Sequence, residues 1–418
     1  MNQARTFLYL QLGVIIAITG FLLAVSWANY AFCVNNPGGN DFLVHWMGTK
    51  SLIRDGLSPY SDEVAIRIQN FAYGRPAEPG EHELRVAYPL FSVVFFVPFA
   101  LIEDFTLSRA LWMTVLEISL LIITFLSIRL AQWKTNLWMI ALLFVVSIFW
   151  YHGLRPLING NAVILVALFF AGAMLAIKNG ADELAGVLLA FATIKPQVAL
   201  VFLIYCTVWG MANRRVRLVG WMLGTVLILS VSSALILPDW IFQNIREVIR
   251  YPAYNPPGTP GAVFTAWWPD FGARLGWALT GILVLLLLVE WRLSLHKGFR
   301  GFLWAAYLTL TASQWIGIQT DPGNFVVLFP AVILIFSIWD QRWKRWGKIF
   351  VLMNLVIMVA GIWYIFLNTV TYNGQPLQSP VMFFPLPFLV LAGLYWVRWW
   401  MIRPPGVWFD LVYADENP

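Results

Sequence analysis

The sequence predicts an all-α polytopic membrane protein, a bundle of about eleven to thirteen membrane segments. Three observations carry that reading. Of the 418 residues, 60% are hydrophobic and only 11% are charged, whereas soluble domains carry about 25% charge. Several apolar runs approach the roughly 20 residues that cross a bilayer. Many of the 23 Trp and 14 Tyr stand near the ends of those runs, where amphipathic rings favour the membrane interface.

The first apolar run, Phe7 to Trp27, is long and has no clear cleavage site after it, so it is expected to stay as a first helix over 7–29. Further spans are expected near 107–131, 136–152, 160–177, 183–211, 217–237, 272–292, 301–318, 323–339, 348–370 and 380–401. The piece 88–102 is shorter and holds Pro89 and Pro98, so it either crosses or dips in and returns. The two options are linked to a later segment. If 88–102 crosses, 183–211 is one span kinked at Lys195-Pro196; if it does not, 183–211 is a hairpin turning there. No internal repeat divides the chain. Residues 1–418 read as one integral membrane domain with a first outer loop over 34–87 and a second large outer loop over 238–271.

The net charge of +6 comes mainly from short basic loops around Arg214 to Arg217, Arg292 to Arg300 and Arg342 to Lys348. Lys and Arg resist translocation, so these loops and both termini are expected to be cytoplasmic and the 34–87 loop extracytoplasmic, in the plasma membrane. The loops are too short, and too regularly separated by spans, for nucleic acid binding. Cys33 and Cys206 are expected on opposite membrane faces, which excludes a disulfide. No metal-binding spacing occurs.

Within the first outer loop a helix is expected from Asp41 to Asp55, resting in the interface plane, stopped by Gly56 and followed by a turn at Ser58-Pro59-Tyr60. Asp41 admits two roles, a general base at the water–lipid boundary and the N-cap of that helix. His45, one turn on, either pairs with Asp41 or is a solvated polar residue. Arg85 stands just before Tyr88-Pro89, where the chain re-enters the membrane. It is read either as holding a lipid phosphate or as a snorkelling cation.

Lys195-Pro196-Gln197 breaks an apolar run. A lysine at that depth needs an anion or carboxylate, and a bound phosphate or Glu117 are the two candidates. The turn Arg155 to Asn161 either lines a site or caps the next helix through Asn159. Asp321 is either a sugar contact or part of an ordinary Asp-Pro-Gly turn. In the 238–271 loop, Tyr254 and Trp267-Trp268 are suited to stacking on sugars or to an interfacial belt.

In order along the chain, these features resemble family 87 of the glycosyltransferases, the polyprenol-phosphate-mannose-dependent α-mannosyltransferases of the GT-C superfamily. The features are Asn40-Asp41 after a first span, Gly56-Leu57-Ser58-Pro59-Tyr60, the Tyr88-Pro89 re-entry, the Asn159-Gly160-Asn161 turn and Ile194-Lys195-Pro196-Gln197. The resemblance runs from Asp41 to Asp321. It departs from the family where Asn159-Gly160-Asn161 replaces a more usual Gly-Gln-x-Asn, and where Thr320-Asp321-Pro322 stands in place of a His-containing turn.

The resemblance implies a metal-independent, inverting hexosyltransferase with no cofactor. Its donor would be a polyprenyl-phosphate-linked hexose, mannose by the family, and its acceptor a glycan or glycolipid hydroxyl reached from the bilayer. Asp41 would be the base. Arg85 and Lys195 would hold the donor phosphate, and His45, Tyr60, Tyr88, Asn159, Asn161, Gln197 and Asp321 would line the acceptor and sugar. The main rival is a polytopic transporter or lipid flippase, which calls for more intramembrane ionisable residues and for repeated halves. A pyrophosphate-lipid-dependent transferase and a membrane scaffold are further alternatives.

Overall fold

The computed structural model describes residues 2–255, 258–373 and 375–402. It is almost wholly helical. Among the described residues the strands are two of three residues each, Thr371–Asn373 and Gln375–Leu377. Seven helical stretches are long and apolar enough to cross a membrane, and a bent pair at 137–159 makes up to eight. Further apolar helices are shorter than a full span, which is why the sequence predicted more segments than length alone supports.

The chain begins with α1 (Asn2–Asn35), exposed along most of its length and packed on α5 (Phe105–Ala131). Between them lie α2 (Asn40–Asp55), α3 (Asp62–Tyr73) and the short α4 (Val93–Ala100). After α5 come α6 (Leu137–Phe149), α7 (Tyr151–Asn159), α8 (Val163–Lys178), α9 (Asp182–Phe191), α10 (Pro196–Ala212) and α11 (Val216–Ile236). The second outer loop folds as α12 (Trp240–Arg250) and α13 (Pro260–Trp267). Then follow α14 (Gly272–Ser294), α15 (Gly298–Ser313), α16 (Phe329–Val356), α17 (Ile362–Thr369) and α18 (Pro385–Ile402). Residues 322–340 are buried throughout and form the centre of the bundle. α16 reverses near Gly347, where an added Cβ would strike the Trp339 carbonyl, so 322–343 and 345–369 are separate candidate spans.

Polar contacts sort the helix ends into two groups. At one end Lys178 bonds the Arg129 carbonyl at 3.2 Å, Arg215 bonds the Ile177 carbonyl at 2.9 Å and pairs with Asp182, and Asn213 bonds the Leu295 carbonyl at 2.9 Å. Trp133 bonds Asp340 at 2.8 Å there as well. This is the basic end. At the other end Arg109 bonds the carbonyls of Asn36 and Ile158 at 2.7 and 3.1 Å, and Asn244 bonds that of Ala87 at 3.0 Å.

These groupings answer the linked question of 88–102 and 183–211. Residues on both sides of α4 stay at the non-basic end: before it the Ala87 carbonyl accepts from Asn244 at 3.0 Å, and after it Glu103 pairs with Lys50 of α2 at 2.8 Å. At about 1.5 Å per residue, α4 is too short to cross. α9 starts and α10 finishes at the basic end, and Lys195 between them meets Asn161 at the other. The 183–211 segment is therefore a hairpin, and Pro196 opens its second arm at the position where its missing N–H costs nothing.

α2 does not lie on a membrane surface as the sequence suggested. Phe42, Leu43, Val44, His45 and Trp46 are all buried, because α3, α4 and α5 close around it. Its start is fixed by Gly39 in the left-handed region at φ 79°, where a Cβ would come within 2.8 Å of the Arg109 side chain. Gly39 thus holds the capping position expected of Asp41. Gly56 ends the helix as expected, also left-handed, with its N–H on the Ser51 carbonyl. Both cysteines are buried and free.

Candidate active site

Asp41 sits in the first turn of α2 and faces the turn between α7 and α8. Its Oδ2 accepts hydrogen bonds from Asn159 Nδ2 at 2.6 Å and Asn161 Nδ2 at 2.9 Å. No described residue donates to Oδ1. Gly160 between the two asparagines is left-handed at φ 72° and ends α7. A Cβ on it would collide with Phe42, so glycine lets the turn close on α2. Trp112 of α5 holds both partners of this approach. Its ring stacks on Phe42 at 5.6 Å, and its indole N–H bonds the Gly160 carbonyl at 2.8 Å.

Asn161, rather than Asn159, serves the helix that follows: its Oδ1 accepts from the Val163 N–H at 2.9 Å. The same oxygen accepts from Lys195 Nζ at 2.8 Å. Lys195 is only 4% exposed, and among the described residues no carboxylate is in hydrogen-bond contact with it. Glu117, the sequence-stated alternative partner, faces α1 instead and is bonded by Asn29 at 2.9 Å. The Lys195 ammonium also stands 5.5 Å from the Tyr88 ring, and the Tyr88 hydroxyl is 3.4 Å from Asn161 Oδ1. Asp41, Asn159, Asn161, Lys195 and Tyr88 are thereby one connected group.

Four other expected residues are placed differently. His45 does not pair with Asp41. It is buried between Tyr88, at 4.0 Å, and Phe96, stacked at 4.8 Å. Burial, reinforced by the Lys195 charge, lowers its pKa to about 3, so it is neutral. Tyr60 is buried and donates to the Tyr88 carbonyl at 2.8 Å, which fixes the re-entry turn. Gln197 is half-buried in the first turn of α10 and makes no side-chain hydrogen bond to a described residue.

Arg85 is the clearest reassignment. Its guanidinium bonds Glu247 of α12 at 2.6 Å and Asp62 of α3 at 2.5 Å, with Glu83 3.8 Å away. Glu247 is fully buried. Contact with Arg85 holds the Asp62 carboxyl below its usual range. With three carboxylates around it, Arg85 joins the two outer loops instead of presenting a free cation. The partner was hidden because Glu247 lies 162 positions away, on a helix whose sequence reads simply as amphipathic.

Asp321 belongs to a second group beside the first. Its Oδ1 accepts from Arg155 Nη1 at 2.7 Å and from the Gly323 N–H at 2.6 Å, and its Oδ2 from Gln378 at 2.6 Å. Gln378 in turn accepts from the Tyr151 hydroxyl at 2.8 Å. Burial works to raise the Asp321 pKa, but Arg155 and the backbone bond outweigh it and the net shift is downward. The turn reading and the site reading of Asp321 therefore coexist. Asp41 lies within electrostatic reach of Lys195, Arg155, Tyr88, His82 and Tyr251. His82 and Tyr251 were not anticipated, and no spacing in the sequence marks them. Trp267 and Trp268 pack with Phe264 and Phe271, not in this group.

A carboxylate with one oxygen pinned and the other open, beside a buried ammonium, can remove a proton while an adjacent anion is stabilised. Among the described residues no group of three His, Cys, Asp or Glu is arranged to hold a metal ion.

These side chains stand at one end of a bundle of apolar helices, several long enough to cross a membrane. The family model of glycosyltransferase family 87 matches residues 87–313, more than half of the chain. The protein belongs to that family and is a membrane glycosyltransferase. No curated protein and no solved structure matches it. The matched region contains Tyr88, Arg155, Asn159, Asn161 and Lys195, while Asp41, Arg85 and Asp321 lie outside it.

Proposed function

We propose that the enzyme transfers a hexose, mannose, from a polyprenyl-phosphate carrier to a hydroxyl of a glycan or glycolipid, with inversion and without a metal. The observation that carries the reading is the Asp41 carboxylate, anchored through Oδ2 by two carboxamides. One of these, Asn161, also binds the buried Lys195.

Asp41 Oδ1 takes the proton of the acceptor hydroxyl as its oxygen attacks the anomeric carbon. The bond from that carbon to the phosphate oxygen breaks, and its electron pair stays on the lipid phosphate. Lys195 stabilises the growing phosphate charge, which a preorganised cation does best in a water-poor site. A single displacement from the face opposite the phosphate inverts the anomeric centre. Tyr88 and the Asp321–Gln378 pair offer hydrogen-bonding groups to the sugar, and Gln197 offers its free carboxamide.

The basic helix ends lie opposite this site, which supports a plasma-membrane orientation with cytoplasmic termini and extracytoplasmic chemistry. The fold accords with a GT-C-type bundle. The test uses purified protein in nanodiscs with labelled polyprenyl-phosphate-mannose, a glycolipid extract as acceptor, and EDTA. Donor turnover that persists in EDTA and is lost in Asp41→Asn supports the reading. Turnover unchanged in Asp41→Asn would refute the base.

A further inference from the structure

We infer that Arg155, together with Lys195, forms the donor-phosphate site, in the role expected of Arg85. The inference rests on the proposed function and names a further substrate-binding residue for it.

Arg155 and Asn159 are four residues apart on α7, so they share one helix face, with Cβ atoms about 6 Å apart. Asn159 touches Asp41, which places Arg155 one turn from the base. Lys195 reaches the same surroundings from the tip of the α9–α10 hairpin through Asn161. Two cations therefore converge on Asp41 from separate elements.

Their free bonding capacity differs from that of Arg85. Arg155 uses only Nη1, on Asp321; no described residue accepts from its Nε or Nη2. Lys195 meets one neutral oxygen. Among the described residues Asp321 is the one carboxylate in hydrogen-bond contact with either, and it is itself shared with Gln378 and the Gly323 N–H. Arg85 spends its Nε and Nη2 on Glu247 and Asp62, with Glu83 beside it, and Arg246 and Arg250 share those carboxylates, so its donors are already taken within a cluster of three arginines and three carboxylates. Arg155 and Lys195 act on each other as like charges, which Asp41 and Asp321 offset and which a further anion held by both cations relieves. A phosphate presents oxygens that match the planar fork of a guanidinium and the point charge of an ammonium. As the sugar–phosphate bond breaks, that phosphate gains a second negative charge. The same two cations then favour the leaving group over the bound donor.

The experiment measures binding of undecaprenyl phosphate, the sugar-free leaving group, to the full chain in phosphatidylcholine nanodiscs. Phosphatidic acid and inorganic phosphate serve as separate competitors. Wild type should bind, Arg155→Gln should weaken binding at least tenfold, and Arg155→Lys should fall between them. Arg155→Gln with Asp321→Asn removes both charges of the pair, so a folded variant is at hand if the single change leaves Asp321 unpaired and unstable. It too should bind weakly.

Wild-type affinity in both Gln variants would overturn the inference and leave the transferase reading standing. Equal competition by phosphatidic acid would make this a site for ordinary phospholipid headgroups and overturn its assignment to the donor. Wild type that binds no lipid phosphate would sink the inference together with the proposed donor.

Discussion

Asn161 and Lys195 are joined by a 2.8 Å hydrogen bond from the buried ammonium to the carboxamide oxygen, while the carboxamide nitrogen donates to Asp41 at 2.9 Å. One neutral side chain thus orients an anion and a cation at once. Asn161→Leu keeps much of the volume and removes both bonds. Leaving a buried polar group without its partner costs about 1–3 kcal/mol. The expected outcome is a loss of stability in that range and a fall in turnover of about ten- to a hundredfold, read by thermal unfolding in detergent and by donor consumption. An unchanged rate would show that the relay is incidental to catalysis.

Asp41→Asn keeps the shape of the side chain but removes the carboxylate that is the proposed base. General-base catalysis contributes about 10²–10⁴-fold, so turnover should fall by that factor while donor binding stays within a few-fold of wild type. Binding and rate falling together would instead place Asp41 in donor recognition.

Arg85→Gln should act on stability before it acts on chemistry. It leaves the buried Glu247 with only the exposed Arg246, 3.3 Å away, as a partner, and breaking one side of a buried pair costs up to about 3–5 kcal/mol. Arg85→Gln with Glu247→Gln should recover most of that loss. Failure of the double variant to recover would mean that the pair is not what joins the loops.

Trp112→Phe preserves an aromatic ring beside Phe42 but deletes the bond to the Gly160 carbonyl. Trp112 is buried and touches the Gly160 carbonyl and Phe42, the neighbours of Asn159, Asn161 and Asp41, so its proposed role is positioning. Turnover should drop about tenfold with the donor KM little changed, because a small misplacement of a catalytic group is costly to rate. A rise in KM alone would count against this role.

Stability should decline in acid. His45 is held neutral in the fold with a pKa of about 3, against about 6.5 when unfolded. The unfolded chain therefore binds the extra proton between those values. The contribution is intact above about pH 6.5 and is lost as pH falls toward about 3, at about 1.4 kcal/mol per pH unit. Urea titrations at several pH values should show the slope, and His45→Phe should flatten it. A slope identical in His45→Phe would assign the acid sensitivity elsewhere, Asp62 first.

Much of the architecture was legible because lipid imposes long apolar runs that composition reveals directly. The Lys195-Pro196 break was visible for the same reason, since a lysine and a proline stand out in an apolar helix. Their topology was not, because a kink and a hairpin share one sequence and differ only in which ends meet. Asp41, Asn159, Asn161 and Lys195 were all singled out, and the structure gathers them. Arg85, His45 and Tyr60 were chosen for chemistry but have packing or pairing partners far along the chain. Charge and position alone cannot distinguish a paired arginine from a free one, and here Arg155, noticed only as part of a turn, is the one with donors to spare.

The contacts of Asp41 have a consequence for biogenesis. Chains are made from the N-terminus onward, and Asp41 precedes Asn159 by 118 positions and Asn161 by 120. Throughout that interval the carboxylate has neither its anchors nor a cation beside it. Gln378, which completes the Asp321 group, comes later still. A partly inserted chain therefore carries Asp41 without these contacts, and on the proposed reading the site is complete only after the segment holding Gln378 has been made.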